Sequence, residues 1–247
     1  MAKHLQPGDT VYVPYNKVDP SHIKGSAFFS TKVHAVNKRS VCVDKPSNHA
    51  ETIDIASALV HRRIGVAIVR LGDYDSEVGL LDLIASSLNR YFKILLDSSE
   101  VRVLYIRSLA ELRALWKPPL INIFGHVILI GHGSPTSVMT LVDNAITPID
   151  LANAFSSVDS YKYVFTSLCC ETGIRSFAMD FSKANQCEAF IAPFHTVHGA
   201  AAVQFCINFH TQFLLTGKPL KPAYKWARTG LPTGISFRLW KDGKINH

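Results

Sequence analysis

Two short stretches of this sequence end in residues that do chemistry. His126 to Ser134 (HVILIGHGS) and Tyr163 to Gly173 (YVFTSLCCETG) both begin as apolar, β-branched runs of strand length. The first ends in His132 between two glycines, the second in Cys169 and Cys170 followed by Glu171, Thr172 and Gly173. A thiol is a weak nucleophile at its free pKa of about 8.5 and becomes a good one beside an imidazolium or a helix N-terminus. The two strand ends therefore predict a cysteine nucleophile with a histidine partner. In open α/β sheets ligands bind outside the carboxyl ends of the strands, which is where both side chains fall. Successive strand residues face opposite sides, so only one of the two thiols can point at a substrate. A lone cysteine is more often inert core and a lone turn histidine a satisfied one; it is their shared location that reverses those readings here.

The segments that must position them form a regular series. From Ile64 onward, GVAIVRLG reads as a buried strand, and Asp75 or Ser76 is placed to cap a helix with apolar positions Val78, Leu81, Ile84, Leu88 and Tyr91. VRVLYI is a second strand, and Ser108 with Glu111 has the spacing of a capping box before a short helix stopped by Pro118 and Pro119. HVILI follows as a strand. Thr147 then caps a helix with Pro148 at its first position and Asp150 in its first turn. Beyond the thiols, GIRSFAMDFSKA reads as a helix, EAFIAPF as another buried strand, and Ala200 to Leu215 as an apolar helix ended by Gly217. Alternating strands and helices imply a mostly parallel sheet covered on both faces, with right-handed crossovers aligning the strand ends.

The first 62 residues have a different rhythm. PGDTVYVPY alternates, KVHAV and SVCVD flank the turn-like Asn37-Lys38-Arg39, IDI at 53–55 offers a last strand, and turn residues recur at short intervals. This stretch resembles a small SH3-like β-barrel. Tyr12, Tyr15, Phe28 and Phe29 would line a binding groove on it or form its core. The expected organisation is a small all-β domain at 1–62 and an α/β domain at 63–247.

Composition narrows the class. With 47% hydrophobic and 18% charged residues and no low-complexity tract, the chain is globular. Its longest apolar runs fall well short of the roughly 20 residues of a spanning helix, and MAKHLQPGDT lacks an apolar signal core, so the expectation is a cytoplasmic protein without a membrane partner. Five cysteines without regular spacing argue against a disulfide framework, and no CxxC pair suggests zinc. The formal net charge is +7, and from Lys218 to the end seven basic residues face a single acid, Asp242. Such a segment reads first as a solvated face and second as a contact for nucleic acid.

The stretch from about Ile64 to Ala227 resembles the CHAT type of caspase-like cysteine peptidase, whose hallmarks are a strand ending in a His-Gly pair and a later one ending in Ser-Ala-Cys-Glu-Thr-Gly. Here these are Gly131-His132-Gly133 and SLCCETG. TLVDNAITPIDLANAF resembles the segment between the two motifs, and the chain from IAPFHTVHG to KWA the closing strand, long helix and final helix. The resemblance implies a caspase-like three-layer sandwich, Cys170 as nucleophile, His132 as acid/base, and an oxyanion hole from the backbone N–H groups of Gly133 and Cys170. It implies neither metal nor cofactor, and it implies a dedicated protein substrate, an activating protein partner and a role in bacterial stress or antiviral defence. This chain has Phe194, His195, Val197 and His198 where the family often has a tryptophan and an aspartate. His195 and His198 are accordingly candidate substrate-pocket residues, though exposed loop histidines are commonly without function. Glu171 reads as a cap for the following helix before it reads as a substrate ligand, and Cys169 as packing or a redox bystander. Two other readings stand beside the peptidase: a catalytically silent caspase-like scaffold binding a partner through the barrel, and a nucleic-acid-binding module using the barrel and basic tail.

Overall fold

The structure, a computed structural model, describes residues 5–19, 21, 25–46, 48–72, 77–156, 161–229, 231 and 236–246. Two sheets organise it. The first is an antiparallel meander of β1 (Thr10–Pro14), β2 (Phe28–Val36), β3 (Ser40–Lys45) and β4 (Asn48–Ala56) in sequence order. Its strands bury one face: Val11, Val13, Phe29, Val33, Val41, Val43 and Ile55 form a small core of their own. Tyr12 pairs with His61 through two backbone hydrogen bonds, of 2.8 and 3.0 Å, so the segment leaving this sheet lies along the outer edge of β1.

The second sheet is built from β5 (Gly65–Leu71), β6 (Val101–Ile106), β7 (Phe124–Ile130), β8 (Tyr163–Ser167), β9 (Cys187–Pro193), β10 (Phe237–Lys241) and β11 (Lys244–Ile245), in the order β11-β10-β9-β8-β7-β5-β6. β5 to β9 run parallel; β10 and β11 add an antiparallel edge. Among the described residues six α-helices connect these strands: α1 (Asp82–Leu95), α2 (Leu109–Leu115), α3 (Pro148–Ala154), α4 (Arg175–Ser182), and the consecutive α5 (Gly199–His210) and α6 (Leu220–Thr229). Strand alternation sorts the core into two layers. Val66, Ile68, Ile128, Ile130, Val164 and Ile191 pack under α1, α5 and α6. Val69, Val127, Leu129, Phe165 and Phe190 pack under α2, α3 and α4. Every residue of β5, β7 and β8 is buried, as strands covered on both faces must be.

Local sequence explains most of the boundaries. Thr147 accepts from Asp150 N–H at 3.2 Å with Pro148 at the first helical position, and Ser108 accepts from Glu111 N–H at 3.1 Å. The Glu111 carboxylate reaches back one residue further than the capping box requires, accepting from Arg107 N–H at 2.7 Å. The Asp75 or Ser76 cap lies outside the described residues. A π turn over Glu77–Leu81 precedes α1 and shifts the helical register there. Val78, placed by its spacing on the apolar face, is instead 80% exposed, and Phe92 replaces Tyr91 at the centre of the buried face.

The two sheets are joined by backbone, ionic and apolar contacts. Ala27 N–H donates to Leu95 O at 3.0 Å, Arg62 pairs with Asp9 at 3.1 Å, and Phe28 joins the core beneath α1 and α5. Of the four aromatic residues proposed for a groove, Phe28 and Phe29 are therefore core, while Tyr12 and Tyr15 are half-buried. No helix among the described residues is long and apolar enough to cross a membrane.

Candidate active site

β7 and β8 are adjacent and parallel, paired from His126 with Val164 to Leu129 with Ser167, and Leu168 N–H extends the ladder to Leu129 O at 2.8 Å. The chain leaves both strands at the same sheet edge, and their backbones then touch. A Cβ on Gly133 would overlap the carbonyl oxygen of Cys170 and lie 2.9 Å from both Cys169 Cβ and Thr172 Cγ2. Glycine at 133 is thus a requirement of the close approach that brings the two motifs together.

Parity decides which thiol faces outward. Leu168 belongs to the core layer under α1 and α5, and Cys169 to the opposite layer under α2 to α4. Beyond the end of β8 the chain turns, and Cys170 Sγ comes to lie beside Val197, which packs against the α1/α5 layer. Cys169 is fully buried, and that burial pushes its thiol up to about 12, which leaves it protonated and inert at neutral pH. Cys170 is only half-buried, as is His132.

A buried polar turn fixes the Cys170 loop. Ser167 Oγ accepts from Cys169 N–H at 3.2 Å and shares a 2.8 Å hydrogen bond with Thr172 Oγ1, which donates to Cys169 O at 2.8 Å. Glu171 takes a left-handed backbone conformation, φ 62°, and Gly173 N–H donates to Pro193 O at 2.7 Å, tying the loop to β9. Ser167 and Thr172 were legible only as polar residues in an apolar motif; their role emerges from this network. Glu171 does not cap the following helix with its side chain: α4 begins after Ile174, which makes no side-chain cap. Extended backbone at Ile174 separates the helix from the turn, so the carboxylate is not at the N-cap position.

Gly133 and Cys170 each present a backbone N–H that meets no protein acceptor among the described residues. The neighbouring hairpin accounts for this at Gly133: it is held by Ser134 N–H to Ser137 O, 2.9 Å, and Met139 N–H to His132 O, 3.2 Å, and so does not use the Gly133 amide. Unused donors on touching backbones are what a developing oxyanion requires.

The loop after β9 completes the edge. Cys170 Sγ lies 3.9 Å from the carbonyl oxygen of Val197, so residues 194–198 run directly beside the thiol. His195 and His198 are both exposed on this loop. His198 Nδ1 accepts from Ala200 N–H at 3.2 Å and caps α5, which leaves Nε2 for any other contact. His195 packs against Phe194 with centroids 4.1 Å apart and the rings tilted by 47°, and the Arg238 guanidinium covers Phe194 at 3.7 Å. Concavities of about 610, 570 and 320 Å³ lie elsewhere on the molecule.

A second group of ionisable residues went unread in the sequence. His61, His126 and His210 are at most 2% exposed and gather between the two sheets. His126 and His210 have centroids 5.3 Å apart, and Phe213 lies 5.6 Å from His126 and 6.0 Å from His61. Burial holds His61 and His210 down to about 4 and His126 well below its ordinary value. Each sits in an apolar or mixed run without a spacing motif, and only the tertiary fold assembles them.

No family model matches the chain, and no curated protein matches it either.

Proposed function

We propose that this protein is a cysteine endopeptidase, its α/β unit a caspase-like fold of the CHAT type and its N-terminal sheet an SH3-like barrel. Cys170 is the nucleophile and His132 the general acid and base. The observation that supports the reading is the approach of Gly133 to the Cys170 carbonyl, which joins the two motifs and sets two amides without protein acceptors on touching backbones. His132 takes the thiol proton as Cys170 sulfur attacks the scissile carbonyl carbon. The negative charge that develops on the carbonyl oxygen is met by the amides of Gly133 and Cys170. Collapse of the tetrahedral intermediate breaks the C–N bond, His132 gives its proton to the leaving amine, and a thioester remains. Water then attacks the thioester, losing a proton to His132, and the acid product leaves as the thiol is restored. His195 and His198, exposed on the loop beside Cys170, are placed to contact the substrate.

A protein substrate and an activating protein partner working in the cytoplasm complete the proposal. An acyloxymethyl ketone peptide that alkylates nucleophilic thiols tests it. Intact mass should rise by one probe per chain in the wild type and by none in Cys170→Ser, with Cys169→Ser labelled like the wild type. Undiminished labelling of Cys170→Ser would refute the assignment.

A further inference from the structure

The αβ connections of a parallel sheet all return at the edge away from its carboxyl ends, and here that edge collects lysines. Lys162 precedes β8, Lys183 precedes β9, Lys218 and Lys221 lie between α5 and the first turn of α6, and Lys244 opens β11. All but Lys218 line two concavities. One, of about 610 Å³, is walled by Lys162, Lys183, Tyr161, Asn153 and Asn185; the Arg63 guanidinium covers the Tyr161 ring at 4.1 Å. The other, of about 570 Å³, is walled by Lys221, Lys241, Lys244, Asp242 and Asn246. Lys183 joins them, because its aliphatic stem packs against Gly243 at the tip of the β10–β11 turn.

The positive charge here is only partly answered. Lys241 pairs with Glu188 at 2.7 Å and Lys183 approaches Asp180 at 3.6 Å. Lys162, Lys221 and Lys244 are exposed and have no acidic partner among the described residues. Between the cations stand side-chain amides and an aromatic ring where a protein-docking surface would present apolar anchors.

We propose that this edge, opposite the one that carries His132 and Cys170, is a binding track for single-stranded nucleic acid. The lysines follow the phosphates, and the two concavities accept bases, which hydrogen-bond to Asn153, Asn185 and Asn246. The track is independent of the peptidase assignment, since it shares no residue with that site.

Fluorescence anisotropy of a labelled 20-nucleotide oligo(dT) with the full chain tests the proposal. With about four phosphates neutralised, the slope of log K against log salt is roughly −3, so raising KCl from 50 to 200 mM weakens binding about fifty-fold. The double variant Lys221→Glu/Lys244→Glu is expected to bind at least ten-fold more weakly at 50 mM KCl, with thiol labelling at Cys170 unchanged. Absence of binding overturns the proposal, as does wild-type affinity in the double variant. Displacement of the oligonucleotide by poly-glutamate at equal charge concentration also overturns it and assigns the face to acidic polypeptides.

Discussion

Gly133→Ala is expected to reduce peptide-probe labelling of Cys170 by more than about 100-fold, because displacing reacting groups by about 1 Å costs that much. The added methyl would occupy the space of the Cys170 carbonyl oxygen and press on Cys169 Cβ and Thr172 Cγ2 at 2.9 Å. Two of these obstacles belong to a turn locked by Ser167 and Thr172, so neither can yield without tilting the amides of residues 133 and 170. Overpacking of this kind costs about 1 to 3 kcal/mol, which lowers the melting temperature by several degrees without unfolding the chain. Gly79→Ala is the matched control, since nothing lies within 4 Å of a Cβ there. Its melting temperature and labelling rate should stay close to wild type. Wild-type labelling in Gly133→Ala would mean that the close approach of the two motifs does not hold the site.

Acidification is expected to destabilise the fold steeply between pH 7 and pH 5. His61 and His210 titrate at about 4 in the folded chain, against an ordinary value of 6.5, because both are wholly buried. Between those values the unfolded chain binds protons that the folded chain refuses, so stability falls as pH falls through the window and levels off below about 4. At pH 5 each histidine contributes a loss of about 2 kcal/mol, together about 4 kcal/mol, and His126, lowered by burial and by its two neighbours, adds in the same direction. The groups nearest the cluster do not offset this. Cys206 lies 3.6 Å from His210 Nδ1 with its thiol pushed up by burial, and the Tyr91 hydroxyl, also raised by burial, bonds Thr211. Glu188 and Lys218, which border the cavity beside His61, are of opposite sign. For a chain of this size the loss corresponds to a fall of roughly 8 to 16 °C in melting temperature between pH 7.5 and 5. His210→Phe should flatten the dependence; an equal melting temperature at both pH values would contradict the neutral buried cluster.

Much of this architecture is readable from the chain itself because the strands announce themselves. GVAIVRL, FGHVILI and YVFTS are apolar throughout, which is what a strand buried on both faces needs, and Thr147-Pro148 and Ser108 fix helix starts by local hydrogen bonding alone. The features that escape such reading depend on register or assembly. Val78 faces solvent because one π turn displaces the helical period before α1. The basic tail contains a hairpin at the sheet edge whose signal was present in Asp242-Gly243: both take positive φ, 49° and 75°, as a tight two-residue turn demands. Read as charge, KDGK hid a strand pair. Strand ends set His132 and Cys170 at one sheet edge, but the Ser167–Thr172 network and the Val197 carbonyl beside the sulfur come from chain segments that meet only after folding. The buried histidines are the extreme case, drawn from the segment between the sheets, from β7 and from α5.

The central claim is that His132 and Cys170 act on one another across the ends of β7 and β8. The most direct test is the rate of iodoacetamide alkylation at Cys170, followed by peptide mass mapping at pH 7 in the wild type and in His132→Ala, with no activator needed. The account predicts alkylation of Cys170 at least about ten-fold faster in the wild type, and none at Cys169 while the chain is folded. Equal rates at Cys170 in the two proteins would contradict it.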